Sequence, residues 1–401
     1  MHELRNPELL APAGDMECIK TAVKYGADAI YCGGPVMQLR ADKVAFDREK
    51  LPQAIEYVHS KGKKLYTTVN CFARNDEISM IGDYAKWLYD IGADAAIVSD
   101  IGAIAAIKEA CPELEVHVST QANCMNYKAA EIYYNMGASR IVLAREHTIE
   151  SIAELRAKTP KELELEAFIH GAMCMSYSGR CLLSAYLTGR SGNRGQCAQT
   201  CRWNYYLVEE KRPGEYFKLE ESEHGTAILS SKELCCIDIL EDLEKAGVIS
   251  FKVEGRMRTP FYIGTVINAY RMAIDGSADK AALRAELETT SHRPFCTGFY
   301  TGDPSQVEPD DSGYIRSALF LATAKEYTAD GKLVIETRNP FSVGDEVEVL
   351  TPGSIGRKFT IKEIVAEDGT PIDRSNTPMR IMTINAPEGV TEGDIIRKLD
   401  Q

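Results

Sequence analysis

The chain has 401 residues, of which 44% are hydrophobic and 26% are charged, and its formal net charge is −13. This length exceeds what one hydrophobic core usually supports, so we expect a large domain and a smaller one. The acidic balance argues against sequence-independent binding to DNA or RNA, because the average surface field repels a phosphate backbone. Any contact with RNA therefore requires a local basic patch.

The N-terminal segment, MHELRNPELLAPAG, lacks the basic stretch, apolar core and cleavage site of a secretory signal. The most apolar stretch, residues 91–107, is interrupted by Asp94, Ser99 and Asp100 and is too short to span a bilayer. We therefore expect a cytoplasmic protein without a membrane segment. In a reducing compartment its twelve cysteines stay free of disulfides, so some are expected to hold a metal.

A repeated pattern runs along the first two thirds of the chain: a helix-like stretch, a glycine, and a short apolar run rich in β-branched residues. Five copies begin at Ile19, Ile55, Ala85, Ala130 and Ile237. Apolar runs near Leu10, Val116 and Phe168 bring the number of predicted strands to eight. Eight strands joined by helices predict a (β/α)₈ TIM-like barrel. An open doubly wound sheet is the alternative, but no Gly-x-Gly-x-x-Gly follows the first strand.

Polar residues follow the predicted strands at the end where this fold places its active sites. They are Asn70, Ser99, Asp100, Ser119, Thr120, Gln121, Arg145, Glu146, His170, Glu254 and Arg256. Strands often end at polar residues for structural reasons alone, but the set as a whole predicts a functional rim. The candidate catalytic residues are Arg145, His170, Glu254 and Arg256.

Between the seventh and eighth predicted strands lies an insertion, residues 171–236, which is far longer than the usual loop of about 2 to 6 residues. It contains six of the twelve cysteines: Cys174, Cys181, Cys197, Cys201, Cys235 and Cys236. An all-thiolate set selects zinc or an iron–sulfur cluster. Only Cys197 and Cys201 have the close spacing of a zinc knuckle, so the spacing favours iron–sulfur, with zinc or unligated thiols as alternatives.

The other six cysteines are scattered through predicted helices and strands, where cysteine acts as a small hydrophobic residue. They are Cys18, Cys32, Cys71, Cys111, Cys124 and Cys296. We expect all of them in the core.

The insertion is also rich in arginine and aromatic residues. Its candidate substrate-binding residues are Arg180, Arg190, Arg194 and Arg202, interleaved with Tyr177, Tyr186, Trp203, Tyr205 and Tyr206. Arginine pairs with phosphate or carboxylate, and aromatic rings stack on unpaired bases, so this composition suits a nucleotide or an anionic metabolite. The alternative is that these arginines balance the charge of the thiolates.

From about residue 312 the pattern changes to short alternating strands separated by glycine turns, which predicts a small all-β barrel domain. We therefore divide the chain into a (β/α) barrel, residues 1–310, and a C-terminal β-barrel domain, residues 311–401. The second domain carries no cysteine and only ordinary charge. It is interpreted either as a docking or substrate-presenting module or as a purely structural one.

The stretch EAFIHGAMC, residues 166–174, followed by SGRCLLS, residues 178–184, resembles the signature of the collagenase-like peptidase family U32. The resemblance extends through ELLAPAG, VHVSTQAN, VLARE, SKELC, FKVEGRMR, HRPFCTGFYTGDP and RNPFSVGDEVEV. It implies a (β/α) barrel with a 4Fe-4S cluster on Cys174, Cys181, Cys197 and Cys235. Cys201 and Cys236 are additional thiols, either of which could replace a neighbouring ligand.

The resemblance also implies an activity, because many family members act in oxygen-independent hydroxylation. Their substrates are tRNA wobble uridine in a prephenate-dependent reaction, a ribosomal RNA cytidine, or ubiquinone precursors. The length and the appended β-domain resemble the tRNA branch. This resemblance implies tRNA as the partner, and prephenate as a co-substrate and a paralogous subunit of the same family are further candidates. DNA is not expected as a partner.

The peptidase name requires a catalytic constellation, which the sequence does not offer. His-Glu-x-x-His and Gly-x-Ser-x-Gly are both absent, and Cys174, four residues after His170, is the best cluster ligand. A cysteine bound to iron is not a free nucleophile. Hydroxylation is therefore preferred over proteolysis, and a non-catalytic RNA-binding or cluster-scaffold role is a further alternative.

Overall fold

The computed structural model describes residues 7–39, 45–173, 183–190, 196–200, 206–208, 216–218, 232–302 and 314–399. Its strands are β1 (Glu8–Pro12), β2 (Ala29–Gly33), β3 (Lys64–Val69), β4 (Ala95–Val98), β5 (Glu115–Val118), β6 (Arg140–Val142), β7 (Glu164–Ala172), β8 (Tyr206–Val208), β9 (Tyr216–Lys218), β10 (Glu233–Cys235), β11 (Ser250–Val253), β12 (Phe295–Cys296), β13 (Ala318–Tyr327), β14 (Lys332–Thr337), β15 (Phe341–Ser342), β16 (Glu346–Leu350), β17 (Arg357–Thr360), β18 (Ile364–Ala366), β19 (Arg374–Ser375), β20 (Ile381–Asn385) and β21 (Ile395–Leu399).

The helices are α1 (Met16–Lys24), α2 (Lys50–Ser60), α3 (Asn75–Asp90), α4 (Ile101–Ala110), α5 (Tyr127–Asn135), α6 (Ile149–Ala157), α7 (Leu183–Thr188), α8 (Leu240–Lys245), α9 (Pro260–Ile274) and α10 (Lys280–Glu288). A short 3₁₀ turn spans Thr120–Ala122. No helix in the described part of the chain is long and apolar enough to cross a membrane.

Eight parallel strands close into a barrel in the order β11-β1-β2-β3-β4-β5-β6-β7, because β7 also pairs with β11. All eight strands predicted for the barrel lie in this ring, which confirms the (β/α)₈ barrel and excludes the open sheet. Strands β2 and β4 are buried at every position, as expected where helices cover a parallel sheet.

The glycines of the repeat end their helices in the left-handed conformation, as the pattern predicts. Gly26, Gly62, Gly92, Gly137 and Gly247 all have positive φ. Gly247 is constrained twice, because an added Cβ would also lie 2.5 Å from Cγ of Arg156.

The pairing of β7 with β11 contains a register shift near the C-terminal ends of the strands. Phe168 pairs with Lys252, but the next pair joins His170 to Val253, so Ile169 is an extra residue on β7. Such a bulge disturbs the alternation of faces along the strand.

Strand β10 follows the insertion and returns to the barrel beside the end of β7. It pairs antiparallel with β7, so Cys235 lies opposite His170 and Glu233 lies opposite Ala172. Strand β12 pairs with the other side of β10. Neither β10 nor β12 was predicted from the sequence.

The chain divides into two compact units. The first comprises Met1–Ile19, Asp28–Met257 and Arg293–Tyr314, and the second comprises Lys20–Ala27, Arg258–His292 and Ile315–Gln401. The predicted boundary at residue 310 assigned α9 and α10 to the barrel domain, whereas compactness groups them with the C-terminal strands.

The C-terminal strands form an antiparallel sheet in the order β17-β16-β21-β13-β14-β20-β18, which confirms the predicted all-β domain. Alternation along β14 places every second residue in the core. That core includes Leu321, Leu333, Ile335, Val347 and Ile384.

Candidate active site

A cavity of about 80 Å³ lies within the barrel at the C-terminal ends of its strands. Its lining comprises Tyr31, Leu39, Thr68, Asn70, Ile97, Ser119, Thr120, Gln121, Val142, Arg145, Phe168, Lys252, Glu254 and Arg256. At roughly 10 to 15 Å³ for one water, this volume has room for a small organic molecule. Of the predicted catalytic residues, Arg145, Glu254 and Arg256 are in the lining.

The two arginines of the cavity are oriented by their neighbours. The Arg256 guanidinium is buried and donates to Thr68 Oγ1 at 2.7 Å and to Gln38 Oε1 at 3.1 Å. The Arg145 guanidinium lies over the Phe168 ring, 4.1 Å from its centroid. Both side chains are therefore held in place before any ligand arrives.

Among the described residues that line the cavity, Glu254 is the one with a carboxylate side chain. Its Oε2 is 3.2 Å from the Tyr31 hydroxyl, which also lies 3.0 Å from the carbonyl oxygen of Val253. The lining thus contains three cationic side chains and one carboxylate among the residues that the structure describes. This balance favours an anionic ligand.

The third cation, Lys252, was missed by the sequence analysis because it lies inside β11 rather than after its end. Its Nζ is 2.7 Å from Glu166 Oε1 and 4.3 Å from the centroid of the Tyr31 ring. Burial lowers the pKa of Lys252, and Glu166 opposes that shift. The available signal was a lysine in a strand predicted to be buried on both faces.

Lys252 belongs to a network of charges in which Arg140 and Glu166 are also buried. Arg140 Nη1 lies 3.1 Å from Glu166 Oε2 and 2.6 Å from Glu8 Oε1, and Arg140 Nη2 is 2.7 Å from Glu164 Oε2. Burial alone would raise the pKa of Glu166, but the charges of Lys252 and Arg140 lower it to about 2. Glu166 is therefore a carboxylate at neutral pH and is held from two sides.

His170, the fourth predicted catalytic residue, is not among the residues that line the cavity. It is fully buried, and its ring lies 5.3 Å from that of Phe295 on β12. The register shift explains this position, since it pairs His170 with Val253 instead of continuing the face of Phe168 and Lys252. The backbone carbonyl of His170 accepts a hydrogen bond from the Glu254 N–H at 2.9 Å.

The described part of the chain includes only some of the predicted cysteine ligands. Cys197 is exposed, whereas Cys235 and Cys236 are buried. Cys174, Cys181 and Cys201 lie outside the described residues. Among the residues that are described, no three His, Cys, Asp or Glu side chains are grouped to hold a metal ion. The six cysteines predicted to pack in the core are all buried, which confirms that prediction.

Of the arginines predicted to bind substrate, the structure describes Arg190, which is exposed just after α7. Arg180, Arg194 and Arg202 lie outside the described residues. Their role stays a prediction.

The fold and the cavity define a (β/α)₈-barrel protein whose polar site lies at the C-terminal ends of the strands. Residues 14–309 match the model of peptidase family U32, and residues 316–397 match that of the peptidase family U32 C-terminal domain. The chain belongs to peptidase family U32.

The relatives include a tRNA hydroxylation protein, a ribosomal RNA hydroxycytidine synthase and a collagenase. tRNA hydroxylation protein P1 of Bacillus subtilis is 35% identical over 98% of this chain and 95% of its own length. The 23S rRNA 5-hydroxycytidine C2501 synthase of Escherichia coli is 34% identical over 71% of this chain and 42% of its own length. A collagenase of Porphyromonas gingivalis is 31% identical over 98% of both chains.

Proposed function

We propose that this chain is an iron–sulfur RNA-modifying enzyme that supports oxygen-independent, prephenate-dependent hydroxylation of wobble uridine in tRNA. The observation that carries the proposal is its similarity to the Bacillus subtilis tRNA hydroxylation protein, which extends through both domains. The ribosomal RNA relative matches over less than half of its own length, so it supports the ribosomal alternative less well.

Proteolysis is the second candidate, because the Porphyromonas gingivalis collagenase is similar from end to end. Chemistry favours hydroxylation. The sequence contains neither His-Glu-x-x-His nor Gly-x-Ser-x-Gly, and the cavity offers oriented cations where a peptidase requires a nucleophile beside a base.

The cavity is the proposed reaction chamber. Arg145 and Arg256 bind and orient a carboxylate of the co-substrate, and prephenate, a dicarboxylate, has the charge that suits them. Glu254 holds or accepts a proton at its carboxylate, with the Tyr31 hydroxyl beside it. The apolar walls at Ile97 and Val142 exclude water from the bound molecule.

The proposed cluster ligands are Cys174, Cys181, Cys197 and Cys235. The donor set fits, because thiolates are the ligands that iron–sulfur clusters use, and zinc is the alternative for the same thiols. Cys235 lies opposite His170, whose carbonyl accepts from the cavity residue Glu254, so this ligand position is linked to the cavity through the backbone. When bound, a 4Fe-4S cluster supplies electron transfer or an iron that polarises a substrate oxygen.

The RNA contact is assigned to the arginine-rich part of the insertion, because the net charge of −13 requires a local basic segment. Arg180, Arg190, Arg194 and Arg202 are the proposed phosphate contacts, and a paralogous subunit is part of the proposal as a partner. His170 is proposed as a positioning residue between the Cys235 strand and Glu254, since it does not line the cavity.

The test is nucleoside mass spectrometry of tRNA and ribosomal RNA from a deletion strain complemented with wild-type, Cys235→Ala or Cys111→Ala chain. Wobble hydroxyuridine is expected to disappear on deletion and to return with wild type and with Cys111→Ala, because Cys111 is a buried core cysteine outside the insertion. Cys235→Ala is expected to restore none of it and to lose iron when purified anaerobically.

Loss of a modified cytidine from ribosomal RNA with intact tRNA would move the protein to the ribosomal alternative. Unchanged RNA together with cleavage of a defined peptide by metal-free protein would replace hydroxylation by proteolysis. Stoichiometric zinc without iron would overturn the cluster assignment.

A further inference from the structure

We propose that Lys252 binds the anionic group of the small molecule that enters the barrel cavity, and that Glu166 positions the Lys252 ammonium for this contact. The inference rests on the proposed function, because it names a binding residue and a ligand class for the same site. The ligand class is a small organic anion with an apolar body.

Lys252 has the position that such a role requires. It lines the cavity, and only 3% of the residue is exposed, so an anion that contacts its ammonium is shielded from most water. Attraction between charges is stronger there than at a surface. The ammonium has three N–H donors, and its hydrogen bond to Glu166 Oε1 at 2.7 Å uses one of them.

Glu166 is fixed by partners other than Lys252, which makes it a positioning residue. Its Oε2 accepts from Arg140 Nη1 at 3.1 Å and from Ser250 Oγ at 3.2 Å, while Oε1 accepts from Lys252. Because both oxygens are engaged, the carboxylate cannot turn away from the lysine. It therefore holds the Lys252 ammonium in one position.

The lining also defines the rest of the ligand. Leu39, Ile97, Val142 and Phe168 present apolar surface, and the Tyr31 ring lies 4.3 Å from Lys252 Nζ. A molecule that satisfies both features carries a negative charge at one end and a ring or short hydrocarbon body. A neutral molecule of the same size forms no ion pair with the cationic side chains of the described lining.

The experiment is isothermal titration of the purified full-length protein with benzoate and phenylpyruvate, and with benzyl alcohol as a neutral probe of similar size. Wild type is expected to bind the anions in preference to the alcohol. Lys252→Met is expected to weaken anion binding about tenfold or more, because a hydrogen bond to a charged group is lost. Lys86→Met, which removes an exposed lysine from α3, is the matched control and is expected to bind as wild type does.

Lys252→Met leaves Glu166 short of one cationic partner in the core, so the double variant Lys252→Met/Glu166→Gln removes both charges and keeps the inference testable. It is expected to fold and to have the same weak anion affinity. If the double variant binds benzoate as tightly as wild type, or if wild type prefers benzyl alcohol, the inference is overturned.

The positioning role of Glu166 has a separate readout in the pH profile of binding. The charged groups that face Lys252 are Glu166, Arg140 and Glu254. Glu166→Gln removes a carboxylate that keeps the ammonium protonated, so the loss of benzoate binding at high pH is expected to begin at lower pH than in wild type. An unmoved profile would make Glu166 merely structural.

These outcomes are distinguishable from failure of the proposed function. Lys252-dependent binding of benzoate in a chain whose deletion leaves tRNA unchanged would retain the site and reject the hydroxylation. Normal hydroxyuridine in cells carrying Lys252→Met/Glu166→Gln would reject the role of Lys252 and retain the hydroxylation.

Discussion

Arg140 in the barrel and Arg397 in the C-terminal unit are both buried arginines that hold several carboxylates. Arg140 contacts Glu8, Glu164 and Glu166, and Arg397 lies 2.7 Å from Glu286 and 2.8 Å from Glu348. The two networks differ in what lies beside them. Glu166 also forms an ion pair with Lys252, which lines the cavity. Neither carboxylate partner of Arg397 pairs with a residue of that lining in the contacts described above.

A buried ion pair is therefore not by itself a sign of function. Such pairs recover in attraction what they lose in hydration, and often contribute little to net stability. What distinguishes the barrel network is its continuity with a space that a ligand can fill. Three substitutions test this distinction.

The largest effect on stability is expected from Arg397→Met. The change leaves the buried Glu348 and the partly buried Glu286 without their guanidinium partner, which destabilises by about 3 to 5 kcal/mol. Chemical denaturation measures the loss, and benzoate binding by the barrel is expected to stay unchanged. Lys158→Met, which breaks an exposed helix pair with Glu154, is the control and should leave the unfolding transition in place. A loss of benzoate binding in Arg397→Met would contradict the view that only the Arg140 network is connected to the ligand cavity.

An intermediate effect is expected from Glu166→Gln, and it depends on pH. The pKa of Glu166 is lowered from 4.5 to about 2, so its ionised form stabilises the fold above pH 4.5. That contribution, up to about 3 kcal/mol, is lost as the pH falls towards 2. Unfolding measured from pH 6 to pH 2 should therefore weaken less steeply in Glu166→Gln than in wild type. Parallel curves for the two proteins would show that the carboxylate is not held by its neighbours.

The smallest effect is expected from Tyr31→Phe, which removes the hydroxyl beside Glu254 and keeps the ring beside Lys252. The cost in stability is about 1 kcal/mol. Tyr300→Phe is a matched control, because the Tyr300 hydroxyl donates to the Phe168 carbonyl at 2.8 Å and the residue is not in the cavity lining. Both variants should lose similar stability, and only Tyr31→Phe should change benzoate affinity, by a few-fold. Equal benzoate affinities in the two variants would show that the Tyr31 hydroxyl has no role in binding.

Much of the fold could be predicted because the repeat expresses it locally. A helical stretch, a left-handed glycine such as Gly62 and a buried strand follow one another in the sequence, and each has its own pattern. The same reasoning placed Arg145, Glu254 and Arg256, because parallel strands bring their C-terminal ends to one side of the barrel.

The remaining features depend on pairing between segments far apart in the chain. The extra residue Ile169 changes the face of His170, and it arises only where β7 meets β11. The buried ammonium of Lys252 is stabilised by Glu166, which lies on another strand. The local periodicity of the sequence cannot predict the extra residue Ile169 or the Lys252–Glu166 pair, because both depend on pairing between distant strands.

The antiparallel pairing of β10 with the end of β7 has a consequence for how the chain assembles. Ala172 and Glu233 are paired across the strands, so the segment between them leaves and rejoins the barrel at neighbouring points. Hydrogen bonds between β7 and β10 offset the entropic cost of closing that loop, and this cost rises only slowly with loop length. We therefore expect the barrel to close around its own hydrophobic core independently of the segment between these two residues. On the proposed cluster assignment, we expect cofactor insertion to be a late maturation step carried out on a folded protein.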